Sequence, residues 1–161
     1  MSVRFRPGLR SRAAAAWLWL PALWWALPLP AHSQGAPFLE VSSAAAVLYD
    51  GPSERARKLF IVVRGTPLEV VSTLNQWVKV RDASGDVLWM QRGDLGEARH
   101  VVANTLASLR RTPQVNGELV VQVERGVLLE RVEASAPAGW LRVRHRDGAA
   151  GFVNAADVWG R

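Results

Sequence analysis

The strongest constraint on this chain is a short pattern that occurs twice. The pattern is WVKVRD at residues 77–82 and WLRVRH at residues 140–145. Each copy begins with an indole and then alternates apolar and basic residues. Because successive side chains of a β-strand point to opposite faces, this period of two predicts two half-buried strands. The aliphatic residues would face a core and the basic residues would face water.

The surroundings of this pattern also repeat, at an offset of about 61 to 63 residues. The matched pairs are Pro52 and Pro113, Gly65 and Gly126, Gly85 and Gly148, and Asp94 and Asp157. A shared order over this length predicts a duplicated domain, with copies at residues 38–98 and 99–161. Each copy reads as five or six short strands separated by turns, which is typical of a small barrel or sandwich. Residues 38–41 are expected to form an edge strand, and residues 94–96 a short helical turn.

The first 33 residues have the composition of a secretory signal peptide. Four arginines precede an apolar stretch at residues 13–29, and residues 31–33 supply the small side chains of a cleavage site. We expect cleavage after Ser33 and export of the rest of the chain to an extracytoplasmic, periplasmic location. A retained membrane anchor is the alternative, although prolines interrupt the stretch and it is shorter than the roughly 20 residues of a spanning helix.

Charge and cysteine content exclude several classes of function. The chain has a formal net charge of +6, but four of its arginines belong to the predicted signal peptide, which leaves only +2. A charge this small does not indicate a nucleic-acid partner. The sequence contains no cysteine, so neither disulfides nor thiol chemistry is available.

Taken in order, these motifs resemble the bacterial variety of Src homology 3 domain. The resemblance rests on residues 48–52 (LYDGP) with the basic loop after them, Arg64-Gly65, Trp77 with Val80, the Gly85 hairpin and Trp89, and residues 105–159 repeat it. It implies an all-β protein of two tandem, partly open barrels. It also implies an exported, non-enzymatic module for targeting or protein interaction in the cell envelope.

The first copy carries the candidate ligand groove, formed by Tyr49, Asp50, Glu54, Trp77 and Trp89. Aromatic side chains between loops stack on proline-rich or other extended ligands, and nearby acids pair with a basic ligand residue. In the second copy Arg110 stands where the first has Tyr49. The alternative interpretation makes Trp77 and Trp140 core residues or plugs at the barrel ends.

Two further groups of residues are candidates for function. Arg142, Arg144 and Arg146 form a candidate basic surface for an anionic envelope component, although Glu130 and Glu133 on the preceding strand would pair with them. After the leader, His100 and His145 are the only histidines, and no paired-carboxylate or metal-ligand motif accompanies them. We therefore expect no catalytic residue, no metal and no cofactor.

The sequence thus predicts an exported binding module that recognises cell-wall peptide or a protein partner of the envelope. One alternative is a scaffold subunit whose aromatic residues are used in cores and interfaces and which has no groove of its own. A second alternative is a membrane-tethered accessory protein with the leader retained, which is the one case in which a membrane partner is expected.

Cleavage of the leader is directly testable. Because residues 31–33 fit a signal-peptidase site, the exported protein should begin near Gln34 when its N-terminus is determined by mass spectrometry. Recovery of the chain with residues 1–33 intact in the membrane fraction would instead support the tethered alternative.

Overall fold

The computed structural model describes residues 37–132 and 136–161. The predicted signal peptide and Glu133 lie outside the described residues. Within these ranges the chain forms β-strands and two single turns of 3-10 helix, and neither helical turn is long and apolar enough to cross a membrane. The predicted all-β class is confirmed.

The first copy folds into one seven-stranded antiparallel sheet, in the order β3-β2-β6-β5-β4-β1-β7. Its strands are β1 (Phe38–Val41), β2 (Ala45–Tyr49), β3 (Lys58–Val63), β4 (Pro67–Leu74), β5 (Trp77–Arg81), β6 (Val87–Gln91) and β7 (Leu95–Glu97). A 3-10 turn at Arg92–Asp94 joins β6 to β7.

The second copy repeats this topology, in the order β10-β9-β13-β12-β11-β8-β14. Its strands are β8 (His100–Ala103), β9 (Ala107–Arg110), β10 (Leu119–Val123), β11 (Leu128–Arg131), β12 (Trp140–Arg144), β13 (Ala150–Asn154) and β14 (Val158–Trp159). A 3-10 turn at Ala155–Asp157 precedes β14. The two chain halves therefore share one strand order, as the sequence repeat predicts.

The duplication extends to single hydrogen bonds. The Gly85 amide donates to the Asp82 carbonyl at 3.0 Å, and the Gly148 amide donates to the His145 carbonyl at 2.9 Å. All four glycines of the matched turns, Gly65, Gly126, Gly85 and Gly148, have positive φ, which explains why glycine stands at these places in both copies.

Each sheet encloses its own hydrophobic core. The fully buried side chains of the first core include Val41, Leu48, Leu68, Val78, Val80 and Met90, and those of the second include Val101, Leu109, Leu129, Val143 and Val153. Trp77 and Trp140 belong to neither cluster and are half-buried. Neither tryptophan is therefore a core residue, because strand alternation turns both to the outer face, whereas the alternative of plugs at the barrel ends stays a prediction.

Three sequence expectations about strands need correction. β1 is not an edge strand, because it pairs with β4 on one side and with β7 on the other. The chain after β6 makes its 3-10 turn at Arg92–Asp94 and continues as β7, so residues 95 and 96 are strand rather than helical turn. This return strand raises each sheet from the expected five or six strands to seven. Pairing between the two ends of a copy leaves no local signal in the sequence.

The two barrels meet at a buried carboxylate. Glu40 on β1 is only 9% exposed. Its Oε2 accepts hydrogen bonds from the amides of Arg99 and His100, at 2.7 and 2.9 Å, and lies 2.9 Å from Nδ1 of His100. Burial alone would raise the pKa of Glu40, but these bonds outweigh burial and lower the pKa below its ordinary value. Glu40 is therefore an ionised group held by the first residues of the second barrel.

Apolar contacts complete this seam. Phe38 meets Trp159 edge to face, with ring centroids 4.9 Å apart. Gly160 has a φ of +102°, and a Cβ atom at this position would lie 2.6 Å from Cβ of Pro67. Only a glycine permits so close an approach between the end of the second barrel and β4 of the first.

The Glu40 interaction yields a prediction about stability and pH. Glu40→Gln keeps one acceptor but loses the charge, so we expect the free energy of unfolding to fall by about 1 to 3 kcal/mol near neutral pH. A lowered carboxyl pKa stabilises the fold above the unfolded-state pKa, and the stabilisation disappears as pH falls through the folded-state pKa. The difference between wild type and variant in urea unfolding should therefore stay constant from about pH 7 down to the ordinary carboxyl pKa of 4.5 and shrink as the pH falls further.

Glu97→Gln provides the matched control. The Glu97 side chain is 84% exposed and contacts only Arg99, at 3.8 Å. Its loss should leave the urea midpoint unchanged, because an exposed pair contributes little. Equal effects of the two substitutions, or a Glu40→Gln deficit that persists unchanged in acid, would contradict the role assigned to Glu40.

Candidate ligand-binding face

Strand register assembles aromatic and polar side chains on the outer face of the first barrel. Lys79 on β5 lies opposite Trp89 on β6, and Trp77 lies opposite Gln91. Tyr49 on β2 lies opposite Trp89 from the other side. The intervening residues of β5 and β6 point into the core. We refer to these five residues as the aromatic face.

Direct contacts give the aromatic face a fixed shape. The Tyr49 and Trp77 rings meet edge to face with centroids 5.2 Å apart, a geometry that suits the ring quadrupoles. Nζ of Lys79 lies 5.7 Å from the centre of the Trp89 ring, within range of a cation–π interaction. Tyr49 itself is only 8% exposed, so its role is to pack against the Trp77 ring rather than to contact a ligand. The accessible aromatic surface belongs to the half-buried Trp77 and Trp89.

A cleft of about 530 Å³ adjoins Trp77. One wall is the β2–β3 loop at residues 52–54, and the other is formed by Gln76, Gln91 and Gly93. This volume falls within the range of small-ligand sites, about 300–1,000 Å³. An indole wall with amide groups around it can bind an extended peptide by stacking and by hydrogen bonds.

The two acidic residues of the predicted groove have different surroundings. Oδ1 of Asp50 accepts the Arg57 amide at 2.9 Å, and Oδ2 lies 3.3 Å from Nε of Arg57. Asp50 therefore stabilises the β2–β3 loop by joining its two ends. Glu54 lines the cleft, where its Oε1 accepts a hydrogen bond from Nε2 of Gln91 at 2.9 Å. Of the two acids, Glu54 is the one placed to meet a basic group of a ligand.

The sequence interpretation missed several residues of this region. They are Pro52, Gln76, Lys79 and Gln91. For Lys79 the signal was present, because strand alternation places it on the same face as Trp77. For Gln91 and Pro52 no signal existed, since their proximity depends on how β5, β6 and the β2–β3 loop pack together.

The corresponding face of the second barrel has a different chemistry. Cζ of Arg142 lies 5.6 Å from the centre of the Phe152 ring, which repeats the cation–π arrangement of the first barrel. Arg110 replaces Tyr49, and its Nη1 donates to the Gly117 carbonyl at 2.7 Å. Trp140 therefore has an arginine where Trp77 has a tyrosine ring.

The candidate basic surface does not act as one unit. Arg142 lies over Phe152, whereas Nη1 of Arg144 lies 3.6 Å from Oε2 of Glu130, as the expected cross-strand pair. Arg146 lies in the β12–β13 hairpin loop and is exposed. Among the residues that the structure describes, no three His, Cys, Asp or Glu side chains are grouped to hold a metal ion.

Three of the solved structures that match parts of this chain come from longer chains. NlpC2 from Trichomonas vaginalis matches at 14% identity over 80% of this chain and 49% of its own, with a TM-score of 0.36. NlpC1 from the same organism matches at 14% identity over 81% and 48%, with a TM-score of 0.37. An NlpC/P60 family protein from Bacillus cereus ATCC 10987 matches at 15% identity over 76% and 55%, with a TM-score of 0.35. The chain thus spans about half the length of these structures.

No curated protein matches the sequence. The profile of the bacterial SH3 domain, by contrast, matches twice in tandem, at residues 42–97 and at residues 103–160. These ranges cover most of both seven-stranded sheets and, together, more than half of the sequence. Domains of this kind are binding modules for protein or peptide ligands and are often associated with the cell wall. The chain belongs to the bacterial SH3 domain family, of which it contains two consecutive copies.

Proposed function

We propose that this protein is an exported, non-enzymatic binding module of the bacterial envelope, and that its first barrel recognises cell-wall peptide. The observation that carries the proposal is the aromatic face beside the cleft at Trp77. Tandem membership of a family of binding modules supports it. The signal-peptide composition of residues 1–33 supports export.

The aromatic face suits an extended peptide for two physical reasons. Half-buried indoles bury a large apolar area on binding while losing little side-chain freedom, because packing already fixes the rings. Gln76, Gln91 and Glu54 supply both donors and acceptors around the cleft, so the backbone of a bound peptide can be satisfied. The pairing of Glu54 with Gln91 leaves further carboxylate lone pairs for an amino group of the ligand.

A second candidate function is a scaffold that binds an envelope protein, and the β3 strand favours it. β3 lies at one edge of its sheet. Three of its apolar side chains are unusually exposed, namely Phe60 at 51%, Ile61 at 75% and Val63 at 57%. Apolar residues on an open strand edge are typical of surfaces that pair with another protein.

Trp77→Ala tests the aromatic face, with Trp140→Ala as the matched control at the equivalent strand position. Loss of a central indole should weaken co-sedimentation with purified sacculi at least about tenfold, whereas the control should bind like the wild type. Both substitutions remove a half-buried indole, so both should lower the melting temperature by about 5 °C or more.

Three outcomes of this experiment are informative. Equal weakening by both substitutions would contradict a site in the first barrel. Normal binding by Trp77→Ala would exclude its indole from the site. Failure of the wild type to bind sacculi, together with recovery of one protein from envelope extract, would favour the scaffold.

The non-enzymatic part of the proposal has its own test. Purified protein incubated with sacculi should release no soluble wall fragments by liquid chromatography, since the barrels offer neither a nucleophile–base pair nor a paired-carboxylate motif in the described ranges. Release of fragments by the wild type, lost on substitution of His100 or His145, would overturn it.

A further inference from the structure

The second barrel contains a cleft, separate from the aromatic face, of about 600 Å³. His100 on β8 forms one wall. The turn before β11, with Glu130 further along that strand, forms a second wall, and the β12–β13 hairpin from Arg144 to Gly148 forms a third. We call this space the hairpin cleft. Neither histidine nor Arg146 has a role in the aromatic face, so the cleft requires its own explanation.

The charged groups of the hairpin cleft are not all neutralised. Arg144 and Glu130 pair across the strands at 3.6 Å. Arg146 is exposed and has no ion-pair partner among residues 37–132 and 136–161. One guanidinium therefore remains available to a ligand.

Each histidine has a carboxylate at Nδ1. Nδ1 of His100 lies 2.9 Å from Oε2 of Glu40. Nδ1 of His145 lies 2.8 Å from Oδ1 of Asp147, although without the alignment of a hydrogen bond. Because a carboxylate faces Nδ1 on both rings, Nε2 is the nitrogen left for a ligand.

Comparison with the first barrel shows that the basic character is specific to the second. The Glu130–Arg144 pair has an equivalent in Glu69 and Arg81, whose Oε2 and Nη1 atoms lie 2.6 Å apart. The surrounding positions differ. Phe38, Asp82 and Ala83 of the first copy correspond to His100, His145 and Arg146 of the second, as strand register and matching turn bonds establish.

The two copies also differ in what covers this surface. In the first barrel Phe38 packs against Trp159, and Pro67 lies against Gly160, so the second barrel fills the space. In the second barrel the equivalent surface is open as the hairpin cleft. The same framework therefore serves as a docking surface in one copy and as an accessible, basic cleft in the other.

We propose that the hairpin cleft binds an oxyanion, the carboxylate or phosphate group of a ligand, through Arg146 and Nε2 of His100 and His145. Arg146 supplies charge and a forked donor, and in the imidazolium form each ring donates from Nε2 while its Nδ1–H faces a carboxylate. This site does not depend on the aromatic face, and its failure would leave the proposal for the first barrel untouched.

The test is a titration of the isotope-labelled protein with sodium acetate and, separately, with sodium phosphate, followed by amide NMR at ionic strength held constant with chloride. We expect shifts concentrated at Gly126, Glu130, Arg146 and Gly148. Response to acetate alone identifies a carboxylate site, and response to phosphate alone identifies a phosphate site.

Arg146→Gln should weaken binding about tenfold, because it removes a charged donor. Arg55→Gln is the matched control, since it removes the same charge from an exposed loop of the first barrel. Absence of shifts at the cleft with both anions would overturn the proposal. Equal weakening by the two substitutions would also overturn it, because it would indicate general charge attraction.

Discussion

A buried carboxylate must be hydrogen-bonded, and this requirement at Glu40 joins the two halves of the molecule. Its donors are the first residues of the second barrel, Arg99 and His100. The charge that would be unfavourable within either barrel alone is stabilised only where the barrels meet. Phe38 and Trp159 add an apolar contact beside it. The seam thus combines directional hydrogen bonds to Glu40 with a non-directional apolar contact. The hydrogen bonds fix its geometry, and the apolar contact removes surface from water.

Within each barrel, strand alternation places the residues that stabilise the core and the candidate binding residues on opposite faces of the same strands. On β5 the two valines are fully buried, whereas Trp77 and Lys79 belong to the outer face. A change on the outer face therefore leaves the core intact. The second barrel shows the result, because Tyr49 has become Arg110 and Trp89 has become Phe152 on an unchanged strand order. The two copies thus share one framework and differ in the chemistry of their outer faces.

Local pattern and internal repetition sufficed to predict the class of fold, most strands and the aromatic residues. Val78 and Val80 were placed in the core because alternation is a property of consecutive residues. β1 was misplaced at an edge because its second partner, β7, lies more than 50 residues away. The role of Glu40 could not be predicted either, since a single acidic residue in an apolar strand does not reveal which distant donors will bind it. For the same reason, the sequence did not show that His100 shares a cleft with His145.

The glycine at position 160 gives the arrangement of the barrels an unusual sensitivity. A single methyl group at this position would clash with the Pro67 ring, because no space exists for it. Neither hydrophobic core would feel the change directly, since Gly160 belongs to neither cluster. A substitution at this one position can thus change the angle between two otherwise intact barrels. Tandem proteins joined in this way can therefore evolve new distances between their binding surfaces while both domain cores stay unchanged.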